Sequence, residues 1–175
     1  MALRNIIQDG DAALRKKCKE VTAFNARLHE LLDDMADTLE QSGGVGLAAP
    51  QVGMLKRAVV VLETNVDEDE EEFIIELINP EIVEASGEQT GPEGCLSLPG
   101  KFAMISRPSY VRVKAQDRDG DFFEIEGEGL TARCFCHEID HLNGVMFTDL
   151  ADHILTNEEL SEYYGEAYEE DEGVE

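Results

Sequence analysis

Residues 130–144 read LTARCFCHEIDHLNG. The stretch is largely apolar and ends on Asn-Gly, which predicts a helix over Leu130 to Leu142 that stops at Asn143-Gly144. Set into it are His137, Glu138 and His141. Residues four apart on a helix lie ~40° apart around its axis, so both imidazoles project from one face, with Glu138 turned ~100° from His137. The flanks of this helix are apolar enough for a buried segment. H-E-x-x-H on a helix is a specific signal for a hydrolytic metal site, where two imidazoles hold the ion and the glutamate is general base for its water. The blander reading is a satisfied histidine pair, since the motif also arises by chance.

A catalytic site of this type takes three protein ligands and keeps one position open. Downstream of the helix stand His153 and several carboxylates. Upstream, residues 92–100 read PEGCLSLPG, a short loop that could carry the Cys95 thiolate to a metal. The competing reading makes Cys95 a small core residue. Cys134 lies ~60° from His137 on the ligand side and is expected to pack beneath the site. Cys136 points ~100° the other way and is a poor partner for the histidines. Both are read as core or supporting thiols. No secretory signal is visible in MALRNIIQDGDAALRKKC, so the four cysteines are expected to be reduced and the protein soluble and cytoplasmic.

The rest of the chain predicts an α+β fold. Asp11 caps a short helix over Ala12 to Cys18. Asn25 caps a longer one to about Gln41, in which Leu28, Leu31, Leu32, Met35 and Leu39 recur at helical spacing. Strands are expected over Arg57 to Glu63 and Phe73 to Asn79. Pro80 breaks the second, and Ile82 to Ala85 forms a third. Tyr110 to Ala115 and Phe122 to Ile125 form a hairpin around the turn at Asp117 to Gly120. A weaker acidic helix runs from Asn157 to Tyr164. Strands in the middle and helices on the flanks suggest α+β rather than alternating units. A single domain is expected over residues 1–165, followed by a loose acidic tail over 166–175.

Formal net charge is −25, from 14 basic and 39 acidic side chains. The runs DEDEEE (67–72) and EAYEEDEGVE (166–175) are read as solvated surface. Phosphates repel such a surface, which argues against non-specific nucleic-acid or membrane binding. No apolar run approaches the ~20 residues that span a bilayer.

Three segments together carry a family resemblance. GVGLAAPQ (Gly44 to Gln51), EGCLS (Glu93 to Ser97) and HEIDH (His137 to His141) resemble, in order and spacing, the three signature motifs of peptide deformylase. The resemblance covers about Ile6 to Leu150. It implies mixed or antiparallel sheets packed around a central helix that carries HEIDH. It also implies hydrolytic removal of the formyl group from the N-terminal formyl-methionine of nascent polypeptides, with release of formate. Carried over, Cys95, His137 and His141 bind one ion, commonly ferrous iron, with nickel, cobalt or zinc able to substitute. Glu138 is general acid/base for attack by metal-bound hydroxide, and Gln51 with the backbone N–H of Leu96 polarises the formyl oxygen. Without the other motifs, Gly43, Gly44 and Gly46 would read as no more than a helix stop and turn. With them, the loop becomes a wall for an extended peptide, and Gly46 lets the substrate come close.

For the methionine pocket, Val45, Leu130 and Cys134 are expected as lining. Arg133 shares the histidine face and is an odd neighbour for an apolar pocket. It is expected to fold its stem along the wall with its head in water, or to contact the peptide backbone. Asp140 is expected to pair with Arg107 and fix the helix, and Glu93 to orient a histidine. Some members of the family have an apolar residue at the position of Arg133, and glutamine is often found at that of Cys136, which puts side-chain preference in question. Some members end in a basic helix that docks on the ribosome. The end of this chain, SEYYGEAYEEDEGVE, is acidic, so ribosome contact by that route is not expected.

Overall fold

A computed structural model describes residues 2–172, with side chains through residue 165. Helix α1 spans Ala26–Ser42, β1 Gly46–Ala48, β2 Ala58–Glu63, β3 Phe73–Ser86, β4 Gln89–Cys95, β5 Leu98–Arg107, β6 Tyr110–Gln116 and β7 Phe122–Glu128. Helix α2 covers Gly129–Leu142 and α3 Asn157–Glu172. Short 3-10 turns lie at Ala12–Arg15, Ala49–Val52 and Phe147–Asp149. One antiparallel sheet has the order β1-β2-β3-β6-β7, and β4 and β5 form a separate hairpin.

Strand β2 explains why this arrangement holds. Its run AVVVL (58–62) is continuously apolar because both faces are covered. Alternate side chains point to opposite faces of a strand. Val59 and Val61 pack with Ala132, Phe135, Ile139 and Leu142 of α2. Ala58 and Val60 pack with Leu28, Leu31, Leu32, Met35 and Leu39 of α1. Helix α1 is capped as its sequence predicts, the Asn25 side chain accepting from Leu28 N at 3.2 Å. Helix α2 is thus enclosed by the sheet on one side and by the β4–β5 hairpin on the other. The hairpin closes a third apolar cluster of Ala103, Ile105 and Phe147. Among the described residues, no helix is long and apolar enough to cross a membrane.

Three sequence expectations need correction. The short helix after Asp11 ends at Arg15, not Cys18, and is of the 3-10 type; Asp11 does cap it. Pro80 does not end its strand: β3 runs from Phe73 to Ser86 as one element. The ladder shifts register between Ile78 and Glu81, and Asn79 there adopts φ +51°. This irregularity absorbs the missing proline N–H. The Asn79 side chain ties it down, accepting from Val21 N at 2.8 Å and donating to Val21 O and Gln116 Oε1, each at 2.9 Å. Finally, Cys95 is not on a loop but ends strand β4 at a tight turn, opposite Leu98. The expected tail, 166–175, has helical backbone as far as Glu172, and its last three residues lie outside the described residues.

Candidate metal centre

The buried length of α2 divides between two tasks. Ala132, Phe135, Cys136, Ile139 and Leu142 fill the sheet-side core. Arg133, His137, Glu138 and His141 are buried too, yet Arg133, His137 and His141 meet polar partners from β4 and β5, and Glu138 lies against the bare Cα of Gly46 in β1. A cavity of about 450 Å³ opens here, and among its walls are Gln51, Cys95, Leu96, His137 and Glu138.

Three donor atoms converge. His137 Nε2 and His141 Nε2 lie 3.2 Å apart, and Cys95 Sγ stands 3.3 Å from His141 Nε2. The three lie within 4.8 Å of one another and form the only metal-capable group of this kind among the described residues. His137 Nδ1 donates to Glu93 Oε2 at 2.8 Å, which turns Nε2 toward the neighbouring ring. Burial pulls the His137 pKa down, but hydrogen bonds to Cys95 and Glu93 outweigh it and raise it to about 10, so an ion bound at Nε2 would displace a proton there. Burial holds His141 neutral, its pKa down to about 3, as a ligand requires. A soft thiolate and two imidazoles suit zinc, iron, nickel or cobalt. The residues therefore fit an ion, and Cys95, His137 and His141 would hold it.

The alternatives from the sequence fare differently. His153 is exposed and pairs with Glu159 at 2.9 Å, away from the cluster. Burial pushes the Cys134 and Cys136 thiols up to about 12 and 11, so both stay protonated and poor as ligands. Cys134 lines the cavity; Cys136 belongs to the sheet-side core.

Glu138 lies over the cluster, with Oε1 3.9 Å from His137 Nε2. Burial raises its pKa to about 7. Its Oε2 is buried without a hydrogen-bond partner, an arrangement that costs free energy unless a ligand supplies one. Gln51 is also buried. Its Oε1 accepts from Ala48 N at 2.9 Å, so the amide is fixed with Nε2 toward Ser97 Oγ (3.1 Å) and Cys95 Sγ (3.5 Å). Ser97 was not singled out from the sequence. It is fully buried and its backbone O takes Asp9 N at 2.7 Å, so it locks both the turn and Gln51. A lone serine in a signature motif gives no spacing signal that would single it out.

Glu93 is the hub behind the donors. Arg107 grips it with two bonds, Nε to Oε1 at 3.1 Å and Nη2 to Oε2 at 2.7 Å. Burial pushes Glu93 up, but hydrogen bonds from His137 and Arg107 outweigh it and bring its pKa to about 2. Arg107 Nη1 reaches Asp140 Oδ2 at 2.7 Å and so ties α2 to β5.

Val45, Gly46, Leu130, Arg133 and Cys134 all border the cavity. Arg133 differs from expectation in one respect: its head is not in water. Nη1 donates to Glu93 Oε1 and to Ile105 O, each at 3.0 Å, and the residue is 8% exposed. The physical reason is Glu93 itself, a buried carboxylate with acceptor capacity to spare, which draws in a second guanidinium.

A family model described as polypeptide deformylase matches residues 3–157. The chain is 56% identical over 149 residues to a peptide deformylase of Lachnoclostridium phytofermentans, covering 85% of this chain and 89% of that one. It is 52% identical over 160 residues to one of Caldanaerobacter subterraneus subsp. tengcongensis, covering 91% and 96%. Among solved structures, a peptide deformylase from Legionella pneumophila is similar with a TM-score of 0.78 at 40% identity, covering 99% of each chain. A Met-Ala-Ser-bound class I type b peptide deformylase from Acinetobacter baumannii is similar with a TM-score of 0.77 at 34% identity, covering 85% of this chain and 98% of that one.

Proposed function

The chain belongs to the polypeptide deformylase family, and from that premise we propose how its own residues remove the formyl group from the N-terminal formyl-methionine of nascent polypeptides. When bound, the ion supplies Lewis acidity that makes water nucleophilic near neutral pH. Cys95, His137 and His141 hold it, and Glu93 keeps His137 turned with Nε2 inward. Glu138 takes the proton of the attacking water and hands it to the α-nitrogen of methionine as the C–N bond breaks, which leaves formate and a free amine. A carboxyl group whose pKa lies near 7 suits both halves of that transfer. Gln51 Nε2 and the Leu96 backbone N–H stabilise charge on the formyl oxygen, where one donor is worth roughly 3 kcal/mol. Val45, Leu130 and Cys134 receive the methionyl end of the peptide. Arg133 borders the same space, but its head serves Glu93.

The observation that carries this reading is the convergence of one thiol and two imidazole nitrogens within 4.8 Å, beneath a buried carboxyl group. We place the activity in residues 1–165 and in the cytoplasm, where nascent chains are made. Docking through a basic C-terminal helix is opposed by charge, since α3 begins with Glu158 and Glu159.

The resident ion is proposed to be ferrous iron, because a thiolate ligand donates more charge than a third imidazole. Such a site is sensitive to oxidation at the sulfur. The test is to purify under nitrogen, determine metal content, and compare formyl-Met-Ala-Ser with Met-Ala-Ser. Formate release that disappears in Glu138→Ala while metal content stays at one per chain supports the reading. Cleavage of the unformylated peptide, or undiminished activity in Glu138→Ala, overturns it. A resident ion other than iron overturns the choice of ion alone, and activity of the iron-loaded protein that survives peroxide in air overturns the expected sensitivity of the thiolate site.

A further inference from the structure

Gly46, the first residue of β1, is buried and its backbone lies outside the left-handed region, so nothing in its own conformation calls for glycine. What calls for it is a side chain from another element. A Cβ placed on Gly46 would lie 2.7 Å from Glu138 Oε1 and 3.0 Å from both Cδ and Cγ. The Glu138 carboxyl group therefore rests directly on a bare Cα of the neighbouring strand. Two residues earlier the same run shows a second notch, where a Cβ on Gly44 would meet Leu96 Cδ1 at 2.9 Å. There the atom that must yield is the end of an aliphatic chain. At Gly46 it is the carboxyl group assigned to carry the proton.

We propose that Gly46 is a positioning residue for Glu138: the missing side chain at 46 forms the seat that sets where the proton-carrying carboxyl group stands. This rests on the acid/base role given to Glu138 above. It differs from the sequence reading of Gly46 as space for the substrate, and the two make opposite predictions. The carboxyl end of a glutamate is flexible, so an alanine at 46 displaces it at small cost to the fold. Catalysis is less tolerant, because constellations must be held within about 0.5 Å and a ~1 Å misplacement can cost on the order of 10²-fold in rate.

The experiment is Gly46→Ala in the wild-type and Glu138→Ala backgrounds, both metal-loaded. In the wild type, kcat is expected to fall about 10²-fold with KM within about threefold. Metal content stays at one per chain, and Tm does not rise. In the Glu138→Ala background no carboxyl group has to move, so alanine acts only on the unfolded chain and raises Tm by about 1–4 °C. A crystal structure of the single variant should show the Glu138 carboxyl group displaced and the Cys95, His137 and His141 donors in place. Wild-type kcat in Gly46→Ala overturns the proposal. So does a KM defect with kcat retained, which assigns the space to substrate. Equal Tm changes in the two backgrounds overturn it as well, as does a drop in Tm beyond about 5 °C, since the fold itself would then refuse the alanine. Full activity in Glu138→Ala alone would instead strike the parent reading.

Discussion

Two arginines in this molecule make the same bonds in different surroundings. Arg107 of β5 forks onto Glu93 of β4 and reaches Asp140 of α2. Arg118, in the turn between β6 and β7, forks onto Glu76 of β3 at 2.9 and 2.7 Å and reaches Asp33 of α1 at 2.8 Å. Each guanidinium staples a helix to a sheet through one glutamate and one aspartate. The side chain of Arg107 is 6% exposed and that of Arg118 34%. Burial changes what the staple does. Water competes for Arg118, so its ion pairs contribute little. Glu93 has no such competitor, so each of its acceptor sites must be filled by protein, and the protein fills them with Arg133 and His137. In that way a staple becomes the fixed support of a metal ligand.

The largest contrast lies in the two glutamates. Glu93→Ala removes the acceptor that two buried guanidinium groups and His137 Nδ1 share. We expect a loss of ~3–5 kcal/mol in urea unfolding and metal affinity weaker by about 10–100-fold. Glu76→Ala should cost ~1 kcal/mol or less and leave metal affinity alone. Equal losses would mean that burial is not the deciding variable. The contrast also has a pH signature. The folded-state pKa of Glu93 lies at about 2, below its ordinary 4.5, so its stabilising effect is complete above about 4.5 and is lost as pH falls through about 2. The stability gap between wild type and Glu93→Gln should shrink over that window by on the order of 3 kcal/mol.

Arg133 comes next. Arg133→Met keeps the stem and removes the donor to Glu93 Oε1 and Ile105 O. Because Arg107 still covers both carboxylate oxygens, the expected cost is ~1–3 kcal/mol, with metal content unchanged. A loss as large as that of Glu93→Ala would make Arg133, not Arg107, the principal counter-charge. A rise in KM for the formyl peptide beyond about threefold would return its head to substrate binding.

The buried staple also marks how far sequence could be read. Helix α1 and helix α2 were legible because each carries its own period and stop: Asn25 and the leucines of one, the Asn-Gly end of the other. The ligand histidines were legible because a helix fixes their relation locally. The β4–β5 hairpin was not, since GPEGC and LPGKF lack alternation and their pairing is made by tertiary contacts. Pro80 misled because the irregularity that tolerates it is built by Asn79 reaching Val21 and Gln116, far away in the chain. Arg133 misled for a related reason. Whether a guanidinium stays in water depends on a carboxylate 40 positions upstream that no local pattern announces.

The smallest effect belongs to Arg118. Its guanidinium bridges Glu76 and Asp33 in good geometry, yet side-chain exposures of 34%, 22% and 49% leave all three groups open to solvent. Coulomb attraction between such groups is weak and is offset by the entropy of holding a long side chain still. Arg118→Ala should therefore cost ~1 kcal/mol or less, with kcat and metal content unaffected. Salt provides the sharper measurement. At 1 M ionic strength the screening length is ~3 Å, which covers exposed pairs and not buried ones. The stability difference between wild type and Arg118→Ala should then close as salt is raised, while the difference for Glu93→Ala stays open. If both close together, the site behind His137 is wetter than its 4–6% exposures imply, and the distinction between staple and support fails with it.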